Sequence, residues 1–345
     1  MIISWNTTRV CNQFCKHCYR AAGAEPDPNE LSTDEGKSLI SEIAKAGFKI
    51  LVLSGGEPLL RADIYDLISH GRDEKLRVVL GTNGTLITPE VAQRLKEAGC
   101  ARVGISLDDI DPAAHDEWRQ MPGAWARSVE AMGQCREAGL AFQIHTTVTE
   151  RNESVITEMT DLAVELGAAG HHIFFLVPTG RGVGVESESL KAAAYERLLN
   201  RLLEKQREIE IELKPTCAPQ FMRIAKRKSI PMRYTKGCLA GTSYCVIIPN
   251  GDVQPCPYLQ LKVGNVRETP FSQIWADNPI FRKLREAEVG GRCAGCDCAD
   301  ICGGCRARAF YYSDGDYMAE EPWCLYRPSQ RCGEDASPRQ VQPVE

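Results

Sequence analysis

The sequence predicts an α/β fold: a parallel series of strand–helix units followed by a cysteine-rich C-terminal domain. Two observations predict the series. Short β-branched or apolar runs alternate with amphipathic helical patterns, and the repeat of roughly 25 to 40 residues is that of βαβ units. A third observation predicts the second part. The 345-residue chain carries 16 cysteines, and they crowd at 11–18 and 238–324. Six units fall short of the eight of a closed barrel, so a partial barrel and an open doubly wound sheet both fit.

The strand candidates, in order, are 2–5 (IISW), 49–56 (KILVLSGG), 77–84 (RVVLGTNG), 102–108 (RVGISLD), 142–148 (FQIHTTV) and 172–177 (HIFFLV). The first helix is expected over 32–47. Ser32 or Thr33 can cap it, Glu35 adds negative charge to its first turn, and Gly47 falls where a C′ residue belongs. A second runs over 88–99 with Pro89 at its first position, and a third over 154–167. Residues 187–208 form a long amphipathic helix with Leu190, Ala194, Leu198 and Leu202 on one stripe. From 209 the alternation stops. The expected organisation is a barrel over 1–208, a basic bridging region over 209–235, a cysteine-rich domain over 236–332 and a disordered tail over 333–345. Residues 213–251 hold no Asp or Glu but carry Lys214, Arg223, Lys226, Arg227, Lys228, Arg233 and Lys236. They read either as a solvated face or as cations that offset cluster charge or receive substrate carboxylates.

A net charge of −5 argues against a general nucleic-acid binder. No apolar run approaches the ~20 residues of a membrane span, and the first residues lack a signal-peptide pattern. A cytoplasmic location is the expectation. In a reducing compartment, clustered cysteines are metal ligands more often than disulfides. Cys100, Cys135, Cys217 and Cys332 stand apart and receive no role, being read as small buried hydrophobes.

In either architecture the ligand site lies at the carboxyl ends of the strands. CNQFCKHC, SGGEP, TNG and SLD collect there. Cys11, Cys15 and Cys18 in C-x3-C-x2-C spacing supply three thiols. Three thiolates can hold three corners of a four-iron cubane and leave one iron open to a chelating molecule. Alternatively, His17 completes a Cys3His zinc site, although its adjacency to Cys18 makes joint chelation awkward. In SGGEP, Gly55 and Gly56 permit close backbone approach, Glu57 can pair with an ammonium group and Pro58 stiffens the turn.

Cys11, Cys15, His17 and Cys18 (C-x3-C-x-Φ-C), with Gly55-Gly56-Glu57 on the next strand, resemble the radical S-adenosylmethionine (SAM) enzymes. The resemblance implies a partial (β/α)6 barrel. It implies a [4Fe-4S] cluster on Cys11, Cys15 and Cys18 whose open iron takes the amino and carboxylate groups of SAM. Cleavage to methionine and a 5′-deoxyadenosyl radical follows, with an electron donor such as flavodoxin or ferredoxin. His17 is then expected near the adenine, the GGE residues at the SAM amino group, and Ser106 and Asp108 at the ribose. Asn83 and Thr146 are weaker candidates for the same pocket. Arg119 is a candidate for the SAM carboxylate or, equally, a surface arginine on a helix.

Cys293, Cys296, Cys302 and Cys305 in C-x2-C-x5-C-x2-C, then Cys324, follow a hairpin with a PNGD turn. They resemble the SPASM extension, although its fourth cysteine often falls at x3. The resemblance implies one or two auxiliary [4Fe-4S] clusters. One would use Cys238, Cys256 and Cys305 with Cys245 a candidate fourth. The other would use Cys293, Cys296, Cys302 and Cys324, with Cys298 left over. Taken alone, four clustered cysteines also suit zinc.

HHIFFLVPTGRG (171–182), GCLAG (237–241) and CGGCRARA (302–309) are similar to the tetrapyrrole-modifying branch, and within it to the SAM-dependent haem synthase type. The implied substrate is iron-coproporphyrin III, two propionates becoming vinyl groups with loss of CO2. Arg181 and Lys214 are candidates for the propionates, and one of His145, His171 or His172 for the iron, although a lone histidine is more often structural. Rivals are didecarboxysirohaem side-chain removal or a nitrite-reductase-haem step, a ribosomal-peptide maturase, and a non-catalytic metal scaffold.

Overall fold

A computed structural model describes residues 1–232 and 234–327. The expected tail over 333–345, Arg233 and Cys332 lie outside the described residues. All six strands form: β1 (Ile2–Thr8), β2 (Ile50–Gly55), β3 (Arg77–Thr82), β4 (Arg102–Ser106), β5 (Phe142–Val148) and β6 (Gly170–Phe175). They pair in parallel and in chain order.

The series runs one strand further than the sequence pattern indicates. β7 (Glu212–Thr216) pairs in parallel with β6, inside the stretch read as bridging. ELKPT hides it by combining two charges with a proline. Pro215 is tolerated because β7 is an edge strand, where a missing donor need not break a ladder. At the opposite edge β8 (Tyr244–Ile247) joins β1 in parallel, and β9 (Asp252–Gln254) and β10 (Gly264–Asn265) follow antiparallel. The PNGD turn links β8 to β9, with Gly251 at φ +89°. One ten-stranded sheet results, and β7 does not pair with β8, so the barrel stays open.

Helices cover the outer face. α1 (Thr33–Lys45) starts on a capping box between Ser32 and Glu35, and Gly47 follows it at φ +84°. Next come α2 (Ile64–Asp73), α3 (Pro89–Ala98), α4 (Pro112–Arg119), α5 (Ala124–Glu137) and α6 (Ile156–Glu165). α3 is capped by Thr88 and closed by left-handed Gly99. α7 (Ala192–Gln206) buries Tyr195, Leu198, Leu199, Leu202 and Leu203, while Leu190 is buried just ahead of it.

Strand side chains alternate between two faces. Ile3, Trp5, Leu51, Leu53, Val78, Leu80, Val103 and Ile105 share one parity and are fully buried in the core. The opposite parity carries Ser4, Asn6, Gly104, Ser106, Gln143, His145, His172 and Lys214, so the barrel interior is polar. No helix among the described residues is long and apolar enough to cross a membrane.

Candidate functional site

The three N-terminal cysteines sit on the loop that leaves β1. Cys15 is buried, and Cys11 and Cys18 are partly exposed. The three thiols act electrostatically on one another, and burial, chiefly, pushes Cys11 up to about 12. Arg181 fastens this loop. Its Nε donates to Cys15 O at 2.8 Å, its Nη1 to Ala22 O at 2.5 Å and its amide to Cys18 O at 3.0 Å. Nε and Nη1 are thus held by loop carbonyls, while the buried Nη2 has no hydrogen-bond partner among the described residues, so the structure ties Arg181 first to the cysteine loop.

The donor set on this loop is three thiols. His17 stacks on Trp118, with centroids 5.3 Å apart and planes at 10°. Its Nε2 lies 3.8 Å from Asp108 Oδ2. Among the described residues no three His, Cys, Asp or Glu side chains are grouped as around a single metal ion. The residues present suit a cubane held at three corners.

The GGE turn lies against the root of the same loop. Gly56 N donates to Thr8 O at 2.8 Å and Glu57 N to Val10 O at 2.7 Å. A Cβ on Gly56 would fall 2.0 Å from Val10 O, so the close approach the glycines allow is to this backbone. Glu57 is fully buried. Its carboxylate accepts from Thr82 Oγ1 at 2.8 Å, Asn83 N at 2.8 Å and Leu59 N at 3.1 Å. Three donors leave room for about one more. Burial pushes the carboxyl up to about 7, and no cation figures among its partners. This is a fit for an ammonium group. Asn83 stands beside it, its Nδ2 2.7 Å from Asn12 Oδ1 and 3.9 Å from Cys11 Sγ.

Arg119 is not a surface arginine. It is 7% exposed, and its Nε donates to Asp108 Oδ2 at 2.7 Å. Burial alone would raise the Asp108 carboxyl, but the Arg119 guanidinium outweighs it and holds the group at about 2. Asp108 Oδ1 accepts from Thr147 N at 2.8 Å. The Asp108 carboxylate is thus engaged on both oxygens, which leaves Ser106, half-buried at the end of β4, as the freer ribose candidate. Nε is the one hydrogen-bonded nitrogen of Arg119 among the described residues, and the guanidinium acts on Cys15 and Cys11. Its terminal nitrogens suit a carboxylate next to the cysteine loop.

The three histidine candidates separate by parity. His171 faces the helix layer, with Nδ1 2.9 Å from Thr160 Oγ1 and Nε2 2.9 Å from Thr146 Oγ1. Thr146 in turn donates to Leu107 O at 2.6 Å. Neither residue reaches the barrel interior, so both expectations are corrected. His145 and His172 lie inside, stacked at 5.5 Å and 11°. Gln143 Nε2 is 2.7 Å from His145 Nε2 and 3.3 Å from His172 Nδ1. His172 Nε2 lies 3.4 Å from Glu212 Oε1, and Glu212 also receives Arg102 at 3.1 Å and the Tyr234 hydroxyl at 2.8 Å. Burial lowers both histidines, so both are neutral near pH 7. Gly104 makes room, since a Cβ there would fall 2.4 Å from His145 Cε1. Lys214 pairs in register with His172, its Nζ 5.0 Å over the Tyr234 ring.

The C-terminal cysteines form two groups. Cys238, Cys256 and Cys305 act on one another, and Cys217, given no role by the sequence, joins them. Cys245 does not: it is buried in the main core on β8, where the charged group acting on it among the described residues is Arg285. In the second group Cys293, Cys302 and Cys324 act electrostatically on one another, with Cys296 one turn beyond Cys293. Cys298 is buried and begins the short helix Ala299–Cys302. The basic stretch divides. Arg223 pairs with Glu196 beside Cys324 and Cys302, Lys226 donates to Asp297 O at 3.0 Å, and Lys228 is a surface partner of Glu204.

Residues 5–163 match the radical SAM superfamily, and residues 238–306 match the SPASM iron–sulfur cluster-binding domain. The chain is 46% identical, over 96% of its length, to a Methanosarcina barkeri protein named AdoMet-dependent heme synthase, of which the match covers 97%. It is 45% identical, over 95% of its length, to a Nitratidesulfovibrio vulgaris protein of the same name, covered to 92%. The crystal structure of Streptococcus suis SuiB bound to precursor peptide SuiA matches with a TM-score of 0.77 at 20% identity, over 94% of this chain and 76% of that one. That likeness shows the fold.

Proposed function

The chain belongs to the radical SAM superfamily and carries a SPASM domain, and from this premise we propose that it makes haem b by oxidative decarboxylation of iron-coproporphyrin III. That it is a radical SAM enzyme, using a [4Fe-4S] cluster and SAM with auxiliary clusters in the SPASM domain, follows from the family. The observation that carries the finer reading is the near-full-length similarity to relatives named AdoMet-dependent heme synthase.

Bound together, the cluster and SAM supply a 5′-deoxyadenosyl radical. Cys11, Cys15 and Cys18 would hold the cluster. Arg119 would bind the SAM carboxylate, Glu57 and Asn83 the amino end, Ser106 the ribose, and His17, stacked on Trp118, would border the adenine. Lys214 receives a propionate in the polar interior. His145 and His172 stay neutral there, and their nitrogens serve the Gln143–Glu212 network. Each propionate loses a β-hydrogen atom, CO2 and one electron to become a vinyl group. Iron–sulfur clusters, which the two C-terminal cysteine groups would hold, would accept that electron, and a flavodoxin or ferredoxin would supply the electron each SAM cleavage consumes.

The test is anaerobic turnover of the reconstituted chain with SAM, reductant and either iron-coproporphyrin III or didecarboxysirohaem. Loss of CO2 and two hydrogens per propionate from the first substrate supports the reading. SAM cleavage that alters the second substrate alone overturns it.

A further inference from the structure

We propose that Cys217 is the fourth thiolate of the first auxiliary cluster, completing a set with Cys238, Cys256 and Cys305 that leaves this cluster no open iron. The proposal rests on the reading that an auxiliary cluster sits at these cysteines. Cys217 lies outside the span that matches the SPASM domain, 238–306.

Packing places it there. Cys305 is buried in a small apolar cluster with Val177, Leu259 and Ala307, and Cys217 and Cys256 pack against that same cluster. The chain segments that bear Cys217 and Cys238 touch: a Cβ on Gly237 would fall 2.6 Å from Pro219 Cα, so nothing larger than hydrogen fits between them. Cys217 directly follows β7, at the carboxyl end where the parallel series presents its functional loops.

The backbone at Cys217 is left-handed, with φ +60°. A non-glycine residue holds that conformation at a cost and keeps it when its surroundings over-determine it. They do so here. Arg308 Nη1 donates to Cys217 O at 2.7 Å, and Arg308 Nε is 2.9 Å from Glu321 Oε1 in a pair with 0% and 1% of the side chains exposed. Glu321 Oε2 accepts from Cys305 N at 2.6 Å. One buried ion pair therefore fixes the backbone of two of the four cysteines. The Cys217 side chain packs with Cys256 against the cluster that holds Cys305.

Four thiolates saturate a cubane, whereas three leave a vacancy. The N-terminal loop has three and opens an iron to SAM. The Cys217 group has four, so its cluster passes electrons and binds no substrate through iron.

The experiment compares full-length wild type with C217A, C217S and C245A, reconstituted anaerobically with iron and sulfide. Iron per chain is measured, and EPR spectra of the reduced proteins are recorded with SAM present, with and without cyanide. In wild type and C245A, cyanide leaves the auxiliary signals unmoved. In C217A and C217S the chain either loses about four of about twelve irons or keeps a cluster whose signal shifts with cyanide. Uncoupled 5′-deoxyadenosine formation persists in both, which shows that the barrel is folded. Wild-type iron and a cyanide-insensitive spectrum in C217A and C217S would overturn the assignment, as would iron loss in C245A. Wild type with about four irons in all would instead overturn the reading of an auxiliary cluster at this place.

Discussion

Arg119 Nε lies 2.7 Å from Asp108 Oδ2, inside the barrel and within electrostatic reach of Cys15 and Cys11. The pair turns a helix-terminal arginine into a fixed cation at the mouth of the cysteine loop. Breaking it leaves Asp108 buried and uncompensated, at a cost of about 3–5 kcal/mol. Arg119→Ala therefore lowers thermal stability, and Arg119→Lys retains most stability but weakens SAM binding by about tenfold or more, because the planar fork is lost. Thermal melts and SAM titration check both.

The Asp108 carboxyl also sets an acid limit. Its folded pKa, about 2, is depressed below the unfolded value of about 3.9. The stabilisation is complete above about pH 4 and disappears as pH falls toward 2. Asp108→Asn lacks this increment, so the stability difference between wild type and variant shrinks over that window.

Glu57 behaves in the opposite sense. Burial raises its folded pKa to about 7, above the unfolded value of about 4.3. The folded state then holds a proton that the unfolded state releases, so without SAM stability falls as pH rises from about 4 through 7. Glu57→Gln removes this slope and loses SAM affinity. Denaturant midpoints at pH 5 and pH 8 test the sign.

Arg181 and Lys214 are both propionate candidates by sequence, and their surroundings differ: Arg181 is tied to the cysteine loop, and Lys214 lies in the barrel interior over the Tyr234 ring. Arg181→Ala frees the carbonyls of Cys15 and Ala22 from its side chain and keeps the backbone bond to Cys18 O. It lowers iron retention at the N-terminal loop and leaves KM for the porphyrin little changed. Lys214→Met raises that KM by about tenfold, the worth of one charged hydrogen bond of about 1.5 kcal/mol, while uncoupled SAM cleavage persists. Iron analysis and steady-state kinetics distinguish the two.

These contrasts mark what the sequence made legible. The six strands were readable because their outward parity is apolar between clear helix signals. β7 was not, because Glu212, Lys214 and Thr216 line a polar interior and Pro215 sits on an edge. Its loss from view took Cys217 with it. His171 and His172 are neighbours that face opposite sides, and the parity was there to read: His171 alternates with Ile173 and Phe175, both fully or almost fully buried. That Arg181 fastens the cysteine loop was beyond sequence reasoning, since Cys15 and Ala22 lie far along the chain, whereas Arg119 and its partner Asp108 are only 11 residues apart and both were legible as candidates. The cysteine motif and GGE were legible because each is short and contiguous.

In the proposed reaction a propionate β-hydrogen atom passes to the 5′-deoxyadenosyl radical. The most direct measurement uses iron-coproporphyrin III deuterated at the propionate β-carbons and follows the label by mass spectrometry. One deuterium in 5′-deoxyadenosine is expected for each vinyl group formed. Vinyl formation with unlabelled 5′-deoxyadenosine, or labelled 5′-deoxyadenosine with no loss of CO2, would contradict it.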